Sequence, residues 1–356
     1  IDGGSDDERT LNRNTEAFDD CDLVPKILAN VGKPDLSTTV FGRKISMPIF
    51  LSPAAMQRLY HPEGDKASAR AAEKFNTFYS MSTMSNNSIE QIANLSSGPK
   101  LFQLYIHKDQ SITDDLIDRC KRANFDGLCL TVDTIVAGNR ERDHRTGFTT
   151  PPKLTLKSLF SFAIKPKWVF DYLTNEKFEL SNVKNKTDKG TNITKSVIEY
   201  INEQYDPGMN WSDAEYVVKR WDKPFAIKGV MSVEDAKRAV DIGCTAIMIS
   251  NHGGRQLDGS RSPFDQIKLI SDAVGDKVDI ILDGGVRRGT HVLKAIAAGA
   301  KACSFGKAFL FSLSAGGQKG VEKLLQNMHD EIQRNMILMG CKNLKDLNYS
   351  RLIFRR

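Results

Sequence analysis

The sequence predicts a (β/α)8 barrel, and three observations carry that prediction. Eight short apolar segments recur along the chain, most neighbours lie about 20 to 30 residues apart as βα units do, and helical patterns fill the spaces. The 356 residues exceed an average domain and suit one large barrel, read here as a single domain over 1–356.

The segments are 48–55 (PIFLSPAA), 76–82 (NTFYSMS), 100–106 (KLFQLYI), 126–133 (DGLCLTVD), 224–230 (PFAIKGV), 246–253 (AIMISNHG), 279–285 (DIILDGG) and 302–308 (ACSFGKA). Near-continuous apolar runs of this length suit strands buried on both faces of a parallel sheet. After the fifth, Ser232 is placed to N-cap a helix from Val233 to Val240; after the seventh, Gly299 is placed to stop one over His291 to Ala298.

The gap from 134 to 222 breaks the rhythm, being longer than a loop plus one helix. It follows a strand, on the face where barrels place their active sites. Within it, 153–173 mixes Phe160, Phe162, Trp168, Phe170 and Tyr172 with Lys153, Lys157, Lys165 and Lys167. Such a stretch suits a membrane interface, and equally a lid or an oligomer contact. The polar run 174–192 reads as a mobile loop.

Composition narrows the function classes. Lys and Arg are spread along the chain and the net charge is only +6, which gives no nucleic-acid-binding tail. The six Cys form no C-x-x-C, so neither a zinc site nor a redox motif is signalled, and free thiols fit a reducing compartment. No apolar run is long enough to span a bilayer, and no secretory signal is visible. The chain opens at Ile1 without Met, and residues ahead of it are expected.

Polar residues at strand ends face a barrel's site. Those singled out are Gln103, Tyr105, Thr131, Asp133, Lys228, His252 and Asp283, with Gly306 and Lys307 at the eighth strand. The run 283–289 (DGGVRRG) supplies glycines and Arg287 or Arg288, and Gly306-Lys307 adds amides and a cation, the groups a phosphate needs. His252 stands three residues before Arg255, a base beside a guanidinium that can grip a carboxylate, as a 2-hydroxy acid requires. Asp133 near His252 would raise the imidazole pKa. Singly, most histidines are structural or surface groups, and His61, His107, His144, His291 and His329 are read so. Lys228 admits a Schiff-base role or a place beside an electron-rich cofactor ring.

Together these residues resemble the FMN-dependent 2-hydroxy-acid oxidising family of glycolate oxidase, lactate oxidase and the L-lactate and mandelate dehydrogenases. The resemblance runs through ISMPIFLSPAAM (45–56), HPEG (61–64), FQLY (102–105), LTVD (130–133), IKGV (227–230), SNHGGRQLD (250–258) and DGGVRRGT (283–290). It implies an FMN cofactor, His252 as base with Asp133 as partner, Arg255 and Arg140 on the substrate carboxylate, and Tyr105 as substrate tyrosine. It implies flavin contacts at Pro53, Ala54, Ala55, Ser82, Gln103, Thr131, Lys228 and Ser250. Ribityl and phosphate contacts fall to Asp283, Gly284, Gly285, Arg287, Gly306 and Lys307.

Three departures stand out. A second substrate tyrosine falls ahead of Ile1, Lys307 replaces the usual arginine and loses its bidentate fork, and Met84 stands where glycolate oxidase has Trp. The length of the insertion and its WVFDYL tract (168–173) are similar to the membrane-associated dehydrogenase branch, which passes electrons to a quinone or another respiratory carrier. The resemblance therefore implies a cytoplasmic enzyme peripheral on the inner face of the cell membrane, and a homotetramer. An oxidase using oxygen, a Lys228 Schiff-base lyase and a non-catalytic membrane scaffold are the competing readings.

Overall fold

A computed structural model describes residues 2–146, 159–160, 163–175, 179–183 and 203–355. Helix α1 (Arg9–Asp19), strand β1 (Cys21–Leu23) and the hairpin β2 (Thr38–Val40)–β3 (Arg43–Ile45) precede the barrel. The barrel strands are β4 (Ile49–Leu51), β5 (Tyr79–Ser82), β6 (Lys100–Leu104), β7 (Gly127–Thr131), β8 (Phe225–Val230), β9 (Ala246–Ser250), β10 (Asp279–Asp283) and β11 (Ala302–Phe305). They pair in parallel in chain order, and β11 closes on β4. The eight-stranded barrel that the sequence predicts is the fold.

Each strand lies inside its predicted segment; β5 and β8 end with it and the other six end earlier. Asp133 and His252, expected as strand ends, sit two residues beyond β7 and β9. The ladder stops where Val132 N–H donates to the Lys228 carbonyl, and after β9 the chain turns so that Gly254 N–H meets the Asn251 carbonyl.

The helices are α2 (Gly64–Lys74), α3 (Ile89–Leu95), α4 (Gln110–Arg122), α5 (Glu141–Thr146), α6 (Pro166–Thr174), α7 (Trp211–Trp221), α8 (Val233–Asp241), α9 (Pro263–Val274), α10 (Gly289–Ala297) and α11 (Lys307–Leu338). Ser232 caps α8 as expected, its Oγ accepting from Asp235 N–H at 3.0 Å. Helix α7 buries Ala214, Val217 and Trp221, so the end of the 134–222 stretch is the barrel's own fourth-unit helix. At the other end of the chain, β12 (Leu352–Phe354) pairs antiparallel with β1.

Two apolar clusters divide the core. Inside the barrel, Phe50, Phe78, Leu101, Cys129, Ala226, Met248, Ile281 and Ala302 pack together, and Val40, Phe41 and Ile45 of the hairpin join them. Phe41 meets Phe78 edge-on at 5.6 Å. The hairpin thus plugs the barrel, which the sequence pattern did not announce. The second cluster joins the outer strand faces to the helices.

Part of the predicted mobile loop is packed. Leu180, Asn182 and Val183 are buried, and Asn182 Oδ1 accepts from Ile89 N–H at 3.0 Å. Residues 176–178 and 184–192 of that stretch, 153–158 and 161–162 of the aromatic–basic tract, and the His144 side chain lie outside the described residues.

Phe50 is fully buried at the centre of the inner cluster. Phe50→Ala is expected to cost about 3–5 kcal/mol through lost burial and a residual cavity. Urea unfolding of the purified protein reads this as a lowered midpoint at unchanged slope; an unchanged midpoint would mean the inner core is not a determinant of stability.

Candidate active site

Strand side chains alternate, so two residues beyond the inward apolar positions lies the next inward set. At the carboxyl mouth this set is Ser52, Ser82, Gln103, Thr131, Lys228, Ser250, Asp283 and Ser304, all buried. Each barrel strand, or the residue after it, contributes one member. Ser52 and Ser304 were not singled out from sequence, although the same period marks them.

Asp283 organises this ring. Its Oδ1 accepts from Ser52 Oγ and Ser304 Oγ, both at 2.6 Å, and its Oδ2 from Ser250 Oγ at 2.8 Å and Lys228 Nζ at 2.9 Å. Burial alone would raise the Asp283 pKa; the Lys228 charge and the hydroxyl hydrogen bonds outweigh it and hold the carboxyl far below its usual range. Lys228 is the mirror case: burial pulls its pKa down, but Asp283 and Asp133 more than restore it, and the ammonium stays charged. A Schiff-base nucleophile needs a neutral amine, whereas Lys228 Nζ is tied to Asp283 and to Ser250 Oγ, each at 2.9 Å, which tells against the lyase reading.

His252 stands on the turn after β9. Its backbone adopts a left-handed φ of 58°, unusual outside glycine. The turn is anchored by Asn251, whose side chain exchanges hydrogen bonds with Asn14 of α1 at 2.8 and 2.7 Å, and by His252 N–H donating to Ser250 Oγ at 3.1 Å. His252 Nδ1 lies 2.9 Å from Asp133 Oδ1 and 3.1 Å from Thr134 Oγ1. The carboxylate fixes the proton on Nδ1 and leaves Nε2 as the basic nitrogen. Asp133 reaches this position because β8 bulges at Gly229 (φ +112°), where a Cβ would stand 2.9 Å from Asp133 Cβ.

Asp133 raises the His252 pKa as expected, by its charge and its hydrogen bond, but other contributions outweigh it. Burial lowers it by more than the Asp133 charge and hydrogen bond raise it, and Lys228 and Arg140 lower it further, so the net shift is downward. The Asp133 pKa is itself lowered: the interaction with His252, then the Lys228 charge and the Thr134 hydrogen bond, outweigh the burial that would raise it.

One cavity at the barrel mouth collects almost all the predicted site residues. Pro53, Ala54, Ala55, Ser82, Gln103, Tyr105, Thr131, Arg140, Lys228, His252, Arg255, Asp283, Gly284, Gly285, Arg287, Gly306 and Lys307 line it. Asp133 and Ser250 do not; they stand behind His252 and Lys228. Tyr60, Thr134, Met56 and Met84 also belong to the site environment, and of these Tyr60 and Thr134 escaped sequence reasoning. Thr134 follows Asp133 directly, whereas Tyr60 is carried in by a short 3-10 turn, Gln57–Leu59.

Cations are concentrated here. Arg140 is pulled down to about 10 by burial and by Arg255. Lys307, at the start of α11, is lowered to about 8 by burial and by Arg255 and Arg287. Arg255 Nη1 donates to the Gly3 carbonyl at 2.6 Å and Lys307 Nζ to the Asp2 carbonyl at 3.0 Å. Tyr105 stacks on Tyr205 at 4.5 Å, and burial pushes its phenol up to about 12.

These features fit flavin mononucleotide. Gln103 Nε2 and Thr131 Oγ1 are buried without a hydrogen-bond partner among the described residues, and both can meet the polar edge of the ring. Pro53, Ala54 and Ala55 offer a flat apolar wall. Gly285 (φ +74°) must be glycine, since a Cβ would fall 1.8 Å from the Asn14 carbonyl, and it lines the cavity together with Arg287 and Lys307, which offer cations to a phosphate. Among the described side chains the remaining histidines are not part of this cavity: His107 and His291 are buried, His291 stacked on Phe18 at 4.3 Å, and His329 pairs with Asp330 at the surface.

Known proteins agree with this architecture. The family described as FMN-dependent dehydrogenase matches residues 1–354. Glycolate oxidase 5 of Oryza sativa is 38% identical over 350 residues, covering 98% of this chain and 89% of that protein. An L-lactate oxidase of Nostoc sp. is 38% identical over 356 residues, covering 98% and 90%. The crystal structure of a monotopic membrane protein, (S)-mandelate dehydrogenase, superposes with a TM-score of 0.94 at 31% identity, covering 99% of this chain and 93% of that one. The chain therefore belongs to the FMN-dependent dehydrogenase family and oxidises the CH–OH group of a 2-hydroxy acid with bound FMN.

Proposed function

We propose that the protein converts a small L-2-hydroxy acid, lactate- or mandelate-like, to the 2-oxo acid and passes the electrons to a quinone or another respiratory carrier. The observation that carries the chemistry is the His252–Asp133 contact of 2.9 Å at the edge of a cavity that also holds Arg140 and Arg255. Two guanidiniums grip the substrate carboxylate, and the Tyr105 hydroxyl, held by its stack on Tyr205, orients the C2 oxygen. His252 Nε2 takes the hydroxyl proton, and Asp133, already ionised, stabilises the imidazolium that results. Bound FMN supplies the two-electron acceptor for the C2 hydrogen. Gln103, Thr131 and Lys228 hold its ring, and Arg287, Lys307 and the Gly285 and Gly306 amides hold its phosphate.

Oxygen is the alternative acceptor, favoured by the two 38%-identical relatives being oxidases by name. The respiratory reading is favoured by the insertion and by the similarity to a monotopic membrane dehydrogenase. Leu159, Phe160, Ile164, Phe170 and Leu173 are large apolar side chains exposed on this stretch. No helix of the described residues is long and apolar enough to cross a membrane, so contact would be peripheral, on the inner face of the cell membrane for a cytoplasmic enzyme. A scaffold reading uses this stretch alone and leaves the lined cavity without purpose.

His252→Gln is expected to keep the yellow flavin spectrum and slow anaerobic flavin bleaching by L-lactate or mandelate about 10²–10⁴-fold; unchanged bleaching would overturn the base assignment. Because His252 acts only when neutral and its pKa is lowered, kcat/KM should be level around neutral pH and fall on the acid side with an apparent pKa below about 6.5. A limb centred above neutrality would contradict it. Flotation with anionic liposomes should succeed for the full chain and fail on deletion of 153–173, while light scattering of the purified protein should read four chains; flotation that survives the deletion would remove the membrane role, and a monomer mass the tetramer.

A further inference from the structure

A second cavity, of about 760 Å³, adjoins the first, and Tyr60 lines both. Its walls come from three elements: the Arg58–Pro62 turn, helix α6 of the insertion, and the end of the first half of α11, which kinks at Gly316 and Gly317. Trp168 and Tyr172 of α6 stack at 5.3 Å and 15° and form one flat aromatic side. Trp168 Nε1 donates to the Leu59 carbonyl at 2.9 Å, which fixes the insertion helix to the very turn that delivers Tyr60. Arg58, His61 and Lys165 supply hydrogen-bond donors around the rim, with Asp171 opposite in charge. Ile164, a wall residue, is 59% exposed, and Phe170 and Leu173 on α6 are exposed as well, so the cavity opens beside an apolar surface.

We propose that this cavity binds the head group of a quinone, the acceptor in the respiratory reading above, on which this inference rests. A flat uncharged ring suits the Trp168–Tyr172 slab. Two carbonyl oxygens suit donors on the rim, whereas mixed charge disfavours a strongly anionic or cationic ligand. An isoprenoid tail would leave past Ile164 toward the exposed apolar side of α6. Tyr60, which lines both cavities, then stands between the acceptor and the hydroxy acid. The balance is simple. The hydroxy acid loses two electrons and two protons, one proton from the hydroxyl and one hydrogen from C2; the quinone gains two electrons and two protons and departs as quinol.

The test uses the FMN-loaded full chain and decylubiquinone. Tyr172→Ala removes half of the aromatic slab, and Ala315→Phe fills the cavity from an exposed position of α11. Anaerobic flavin reduction by L-lactate and reoxidation by ferricyanide should stay at the unaltered rate in both variants. Reoxidation by decylubiquinone should slow about tenfold or more, a change worth about 1.4 kcal/mol. Decylubiquinone should also quench tryptophan emission of the unaltered protein, and Trp168→Phe should abolish that quenching. Normal quinone reoxidation in both variants with quenching intact in Trp168→Phe would overturn this site while leaving a quinone acceptor standing. An unaltered protein that neither binds nor is reoxidised by decylubiquinone, yet reacts rapidly with air, would overturn both and establish the oxidase reading.

Discussion

The active site depends on the Asp283 carboxylate. Removing an ion pair from water is costly, and the Lys228–Asp283 pair is buried at the mouth of the barrel. It is tolerated because three serine hydroxyls saturate the oxygens that Lys228 does not fill. Those donors come from β9, β11 and the residue after β4, so one carboxylate ties together strands distant in sequence but adjacent at the barrel's closure. The result is a fixed ammonium among fixed dipoles. An environment organised before the ligand arrives need not reorganise during reaction, which is the main source of electrostatic catalysis.

The same ring reaches the base through Ser250, whose hydroxyl also accepts from the His252 amide. His252 is held in a left-handed turn that costs roughly 1–3 kcal/mol for a non-glycine residue. Asn14 and Asn251 stabilise that turn by mutual hydrogen bonds between α1 and the loop. The base is therefore positioned by a helix near the start of the chain as well as by its own strand. Burial and Asp133 act in opposite directions on its pKa. Burial keeps the imidazole neutral and ready; Asp133 lowers the cost of the charge that proton transfer creates.

Much of this was legible in the sequence because strands buried on both faces are continuous apolar runs, and a period of two places one polar residue per strand at the mouth. That logic found Gln103, Thr131, Lys228 and Asp283. Carried evenly to β4 and β11, it would also have found Ser52 and Ser304. What stayed hidden depends on contacts between distant segments. Nothing local marks Val40, Phe41 and Ile45 as a plug, Asn14 as a brace for His252, or Tyr60 as a wall. The net His252 shift was hidden for a related reason: the Asp133 partner that raises the pKa is visible in sequence, whereas the desolvation that outweighs it belongs to the folded chain. The packed 179–183 turn was likewise masked by polar neighbours, since its stabilising partner, Ile89 N–H, lies far away in sequence.

The cations at the mouth show why this fold and its cofactor belong together. Arg140 and Lys307 are both held below their ordinary pKa values, by burial first and by neighbouring positive charge second. Such shifts mean that the protein keeps charge where charge is unfavourable. Asp2 and Glu8 offset part of the Lys307 shift and Asp143 part of the Arg140 shift, but the net direction of both stays downward. A phosphate dianion near Arg287 and Lys307, and a carboxylate near Arg140 and Arg255, would each relieve this repulsion. Ligand binding then stabilises the folded state by mass action, in the same site where it prepares the reaction. With Lys307 in place of an arginine, part of that relief is conditional. A lysine lowered to about 8 begins to lose its charge just above neutrality, whereas a guanidinium would not, so the grip on the phosphate is coupled to proton uptake at Lys307.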